Sequence, residues 1–166
     1  MSESIEFDDV EHLTTGTIGP PGQRIFYLQA AQGGQLVSLR LEKTLVAALV
    51  RYLGALLADL PPAGPLPEDL DLREPVVAEW VVGGLGASYD EPSDRVVLIA
   101  EELTDDEEQD RAVARFAATR ERMAAFAMHS AAVVEAGRPP CPLCGQPLDP
   151  EGHVCARLNG HQPRTP

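Results

Sequence analysis

Leu36-Val37-Ser38-Leu39-Arg40-Leu41-Glu42-Lys43-Thr44-Leu45-Val46-Ala47-Ala48-Leu49-Val50 is the stretch in which the chain changes its period. Up to Leu41, apolar and polar positions alternate over most of the run, as in a strand with one buried face. From Glu42 onward Leu45, Leu49, Leu53, Leu56 and Leu60, with Val46, Val50 and Leu57 beside them, recur at the period of one helix face. Pro61-Pro62 stops that helix, because proline removes a backbone donor and clashes with the preceding turn. A strand leading directly into an amphipathic helix predicts an α+β fold with the helix covering a sheet.

Toward the N-terminus, Gly33-Gly34 closes a hairpin onto Arg24 to Ala31, whose Ile25, Phe26, Tyr27 and Leu28 favour strand. Pro20-Pro21-Gly22-Gln23 is turn chemistry, and Thr14 to Gly19 reads as a further short strand. A three-stranded meander therefore precedes the helix. Residues 1–11 read as an acidic, poorly ordered tail. That tail is not expected to be a secretory signal, for it has neither a basic start nor an apolar stretch.

Toward the C-terminus, residues 61–75 hold five prolines and the acids Glu68, Asp69, Asp71 and Glu74, which reads as a linker. The plan then recurs. Val82-Gly83-Gly84-Leu85-Gly86 and Arg95-Val96-Val97-Leu98-Ile99 answer Thr15-Gly16-Thr17-Ile18-Gly19 and Arg24-Ile25-Phe26-Tyr27-Leu28. Ala112 to Phe116 reads as a third strand or as the first turn of the following helix. Met123, Phe126, Ala127, Ser130 and Val133 or Val134 mark that helix up to Gly137. The expectation is two β-β-β-α halves, residues 1–60 and 76–137, forming an antiparallel sheet packed by two helices. Residues 138–166 follow as a small tail.

At 166 residues with 44% apolar content, the chain can bury a core. No run approaches the length of a membrane helix, and a soluble cytoplasmic protein is expected. The net charge of −13 argues against nucleic-acid binding by the body, since such affinity comes largely from cations that release counterions. A surface of this sign suits a basic partner.

All three cysteines fall within residues 141–155, in the run Cys141-Pro142-Leu143-Cys144-Gly145 and at Cys155. Two thiolates with two residues between them on a glycine-containing turn point to one side, and Zn²⁺ takes four N/S donors in a tetrahedron. Cys141, Cys144 and Cys155 supply three. The fourth is His153 or His161; His153 lies two residues before Cys155, so both side chains face one way on an extended segment. A Cys₃His set is a closed structural site with no open position for a substrate.

Gly137-Arg138-Pro139-Pro140-Cys141-Pro142-Leu143-Cys144-Gly145, Gly152-His153-x-Cys155 and Asn159-Gly160 form one group of motifs. Gly16-Thr17-Ile18-Gly19-x-Pro21-Gly22-Gln23-Arg24-x-Phe26-x-Leu28-Gln29-Ala30 forms another. Together they resemble the actinobacterial domain-of-unknown-function 3090 family, over nearly the whole chain. The resemblance implies a Cys-x-x-Cys…His-x-Cys zinc site, hence His153 rather than His161. It implies no biochemical activity. Members are often encoded near a phosphoinositide-kinase-like and a histidine-phosphatase-like protein, which implies a shared pathway and a partner of either kind.

Residues 101–110 carry seven acids, a run that is ordinarily solvated or docks a basic partner. Gly16 to Arg24 lacks the Gly-Lys-Ser/Thr end of a phosphate-binding loop and reads as a hairpin. His12 and His129 stand alone in the sequence, His129 at the boundary of the second helix face. Three functions are weighed. The first is a zinc-containing protein-interaction or adaptor module. The second is an enzyme or ligand-binding protein with Arg24 and Arg95 converging on a small phosphorylated or peptide substrate between the halves. The third is nucleic-acid binding through the zinc knuckle and its neighbours Arg138, Arg157 and Arg164.

Overall fold

The structure is a computed structural model that describes residues 2–20, 22–136 and 142–144. Its elements are β1 (Ile5–Phe7), β2 (His12–Ile18), β3 (Ile25–Gln32), β4 (Gln35–Leu41), α1 (Lys43–Ala58), β5 (Ala78–Asp90), β6 (Arg95–Glu102), β7 (Val113–Ala118) and α2 (Arg120–Glu135). The change of period around Glu42 is the β4–α1 junction, with Glu42 extended at the helix start. Gly33 and Gly34 form the two-residue turn between β3 and β4 at φ +59° and +81°. Positive φ at both positions matches the twist of a tight hairpin and explains the pair of glycines.

The strands form one seven-stranded sheet in the order β1-β7-β6-β5-β4-β3-β2. It is mixed rather than antiparallel throughout. β4 pairs with β5 in parallel, and so does β1 with β7. The reason is chain economy: α1 and residues 59–77 form a crossover that returns the chain in the direction it left, and parallel neighbours need such a connection. Residues 1–11 also differ from the expected loose tail. Ile5, Glu6 and Phe7 pair with Ala114, Arg115 and Phe116, and the Phe7 ring lies 5.6 Å from that of Phe116. The acids that give this stretch its polar look flank two core-directed apolar positions.

β1 and β2 stand at opposite ends of the strand order, yet only residues 8–11 join them. A flat seven-stranded sheet would set its edges roughly 29 Å apart, at about 4.8 Å per gap. The chain from Phe7 to His12 spans at most about 17 Å. The sheet must therefore curl back on itself. Two amides record the closure: Val10 N–H donates to Ala117 O of β7 and Glu11 N–H to Ala31 O of β3, each at 2.9 Å.

One core fills the curl. Leu13, Leu28, Leu39, Leu98 and Phe116 from the strands meet Leu53, Met123 and Phe126 from the helices, all 0–1% exposed. The third strand of the second meander is real, and α2 begins just after it, at the Thr119 cap whose hydroxyl accepts Arg122 N–H at 3.2 Å. α2 also shields β2: His129 Nε2–H donates to Thr15 O at 2.9 Å, and Thr15 Oγ1 donates to Ser130 Oγ at 2.8 Å.

Candidate functional site

Of the predicted zinc ligands, Cys144 lies among the described residues, half-buried at the end of a turn over residues 142–144. Cys141, His153 and Cys155 lie outside the described residues, as do His161 and the arginines Arg138, Arg157 and Arg164. Among the described residues no group of three or more His, Cys, Asp or Glu side chains is arranged to hold a metal ion.

Arg24 and Arg95 do not converge. Arg95 Nε donates to Asp9 Oδ1 at 3.2 Å, and Asp9 N–H donates to Gln32 Oε1 at the C-terminal end of β3. Arg24 immediately precedes the N-terminal end of the same strand. A strand of this length separates its ends by about 25 Å. A shared anion site for the two guanidinium groups is therefore ruled out.

The acidic run divides between β6 and the loop that follows it. Glu102 and Asp110 meet Glu3 and Glu79, with Ser2 and Gln109, around a cavity of about 430 Å³. Glu102 accepts Ser2 Oγ–H at 2.5 Å and Ala112 N–H at 3.1 Å. Those two bonds, Ser2 the stronger, hold its carboxyl below the usual carboxylate range. A second cavity of about 430 Å³ is apolar, lined by Leu45, Leu49 and Tyr52 of α1 and Leu85 to Ala87 of β5.

A buried, hydrogen-bonded polar cluster was not legible in the sequence. On β2, Leu13 faces the core, while His12 and Thr14 face outward, and both are 0% exposed. Their cover is the expected linker. Residues 69–73 lie across them, with Thr14 Oγ1 donating to Leu70 O and Leu72 seated over Gly16. Gln29 of β3 organises the contact. Its Oε1 accepts Arg73 N–H at 2.7 Å and lies 3.0 Å from His12 Nε2; its Nε2 donates to Arg73 O at 2.8 Å and Ser38 Oγ at 3.1 Å. The segment is thus a strap, pinned at its other end by Arg120 Nη1 to Pro61 O at 2.7 Å and by Gly64 N–H to Glu121 Oε1 at 3.0 Å.

Because Gln29 Oε1 can only accept, His12 carries its hydrogen on Nε2, and Nδ1 is left as a buried lone pair without a hydrogen bond. Burial is the main influence on this imidazole and lowers its pKa below the ordinary value. The Gln29 bond works the other way, Arg73 adds to the lowering, and Asp69 partly offsets it. The signal in the sequence was faint: polar residues at alternate positions of His12 to Thr14, Gln29 and Ser38 look like a solvent face, and only the strap makes them an interior.

The arrangement defines a small α+β domain with a curled mixed sheet, two helices on its core face and a polar-anchored strap on the other. The chain belongs to the family described as a protein of unknown function, DUF3090, whose model matches residues 5–155. No curated protein and no solved structure matched the chain.

Proposed function

We propose that the protein is a non-enzymatic interaction module. Its α+β body offers an acidic surface to a basic segment of a protein partner, and its C-terminal segment closes around one structural zinc ion. The observation that carries the interaction is the placement of charge. Glu3, Glu79, Glu102 and Asp110 come from separate segments to one cavity, in a chain whose net charge is −13. Two donors there lower the Glu102 carboxyl below the usual carboxylate range.

For zinc, the support is the donor chemistry of Cys141, Cys144, His153 and Cys155. The turn at 142–144 is the local form a Cys-x-x-Cys pair needs, and the family match over residues 5–155 takes in all four positions. Bound zinc would cross-link a segment too short to hold a core of its own. The partner is a kinase-like or phosphatase-like protein of the same pathway. The body itself is a duplication: β2-β3-β4-α1 and β5-β6-β7-α2 repeat one order of elements, which supports this reading of its origin.

The test is capture from native cells with the full chain and with the Glu79→Lys/Asp110→Lys variant. A protein retained by the natural chain and lost about tenfold or more from the variant is expected, in line with the cost of like-charge contact at an interface. Equal recovery by both, or no specific partner for either, overturns the reading.

A further inference from the structure

We propose that residues 61–77 form a proton-responsive strap, which neutral His12 allows to lie closed on the β2–β3 face and which a second proton on His12 releases. The geometry supplies the sign. His12 is 0% exposed, and its free Nδ1 stands 3.8 Å from Asp69 Oδ2. A proton on Nδ1 would look to that oxygen for compensation, but Arg73 Nη2 already occupies it at 2.6 Å. Protonation therefore places a second cation beside Arg73 on a fully buried ring, where Asp69 offsets only part of the cost.

The charged groups facing His12 are Asp69 and Arg73, both on the strap; Arg122 of α2 acts on Asp69 and adds further positive character. β3 and β4 contribute the neutral Gln29 and Ser38. The sheet side offers an imidazolium the Gln29 acceptor but no negative charge, so lifting the strap to admit water relieves the rest of the cost. The released state uncovers His12, Thr14, Gln29 and Ser38, a polar floor that the closed state hides completely or nearly so. The device stands apart from the acidic cavity and from the zinc ligands, and its test does not depend on either.

Hydrogen exchange on the full chain reads the strap through the Arg73 amide, which is bonded to Gln29. After correction for intrinsic rates, protection of Arg73 should fall by up to about tenfold per pH unit below the His12 midpoint, the slope of one proton. Amides in the middle of α2 should keep theirs. His12→Gln retains a donor toward Gln29 and cannot be charged, so its strap should stay protected at about pH 5. If that variant instead opens at every pH, two others decide. Arg73→Gln should move the midpoint to lower pH and Asp69→Asn to higher pH. Protection that is flat with pH in the natural chain overturns the proposal, as does an undiminished fall in a closed His12→Gln strap, or equal midpoints for Arg73→Gln and Asp69→Asn.

Discussion

At Gly83 an added methyl group would stand 2.8 Å from the backbone Cα of Leu103, where neither side can yield cheaply. At Gly16 it would stand 2.4 Å from Cγ of the Leu72 side chain, which can move without shifting a strand. The two glycines look alike in sequence but differ in what they touch. Gly83→Ala should destabilise the fold by about 1–3 kcal/mol, the usual range for overpacking, and Gly16→Ala by clearly less. Urea denaturation of both variants checks this; equal losses would mean that Gly83 does not sit against Leu103 as described. Gln29 is the other decisive residue. Gln29→Met would leave Arg73 N–H and the His12 ring without partners, at about 1–3 kcal/mol for each group stranded without water. A melting temperature unchanged in Gln29→Met would contradict the buried network. None of this was legible beforehand, because the sequence shows that Gln29 is polar but not that a segment more than forty residues away covers it.

Among the elements, the strands and helices with strong periodicity were legible. β4 and α1 follow from apolar spacing, β3 from its run of β-favouring residues, and the Gly33-Gly34 turn from its φ requirement. Two pieces were not. β1 is three residues long, too short for any period, and its partner β7 lies more than a hundred residues on. The strap carries five prolines between positions 61 and 75 and forms no regular element, so its role rests on side chains and carbonyls that reach other strands. The N-terminus of α2 gives a test at this scale. Thr119→Ala removes the acceptor for Arg122 N–H and should cost about 1 kcal/mol in urea unfolding. No loss would show that the cap is idle and that packing of Met123 and Phe126 alone sets the helix start.

For the whole molecule, the sequence implied two meanders and two helices but not the closure. Curling depends on a four-residue connection bridging the two edges of the sheet, a property of the strand order and not of any local pattern. The charged groups predict how this closed body responds to acid. His12 is lowered by burial, so its contribution is complete above the ordinary imidazole pKa of about 6.5 and fades as pH falls through the lower folded value. Asp94, bonded by Tyr89 and Arg120, and Glu102, bonded by Ser2 and Ala112, are lowered as well; their contribution is lost in a second step, below about pH 4. Denaturation midpoints measured across pH should show both declines, and His12→Gln should remove the upper one alone. A single decline confined to the carboxylate range would mean that His12 titrates as though exposed.

The most direct test of the central claim, an interaction module whose C-terminal segment is closed by zinc, is native mass spectrometry of the intact chain. About one zinc per molecule should be found, lost in Cys141→Ser, in Cys155→Ser and in His153→Ala, and kept in His161→Ala. A metal-free chain would contradict the zinc site. Zinc retained by His153→Ala and released by His161→Ala would contradict the ligand set.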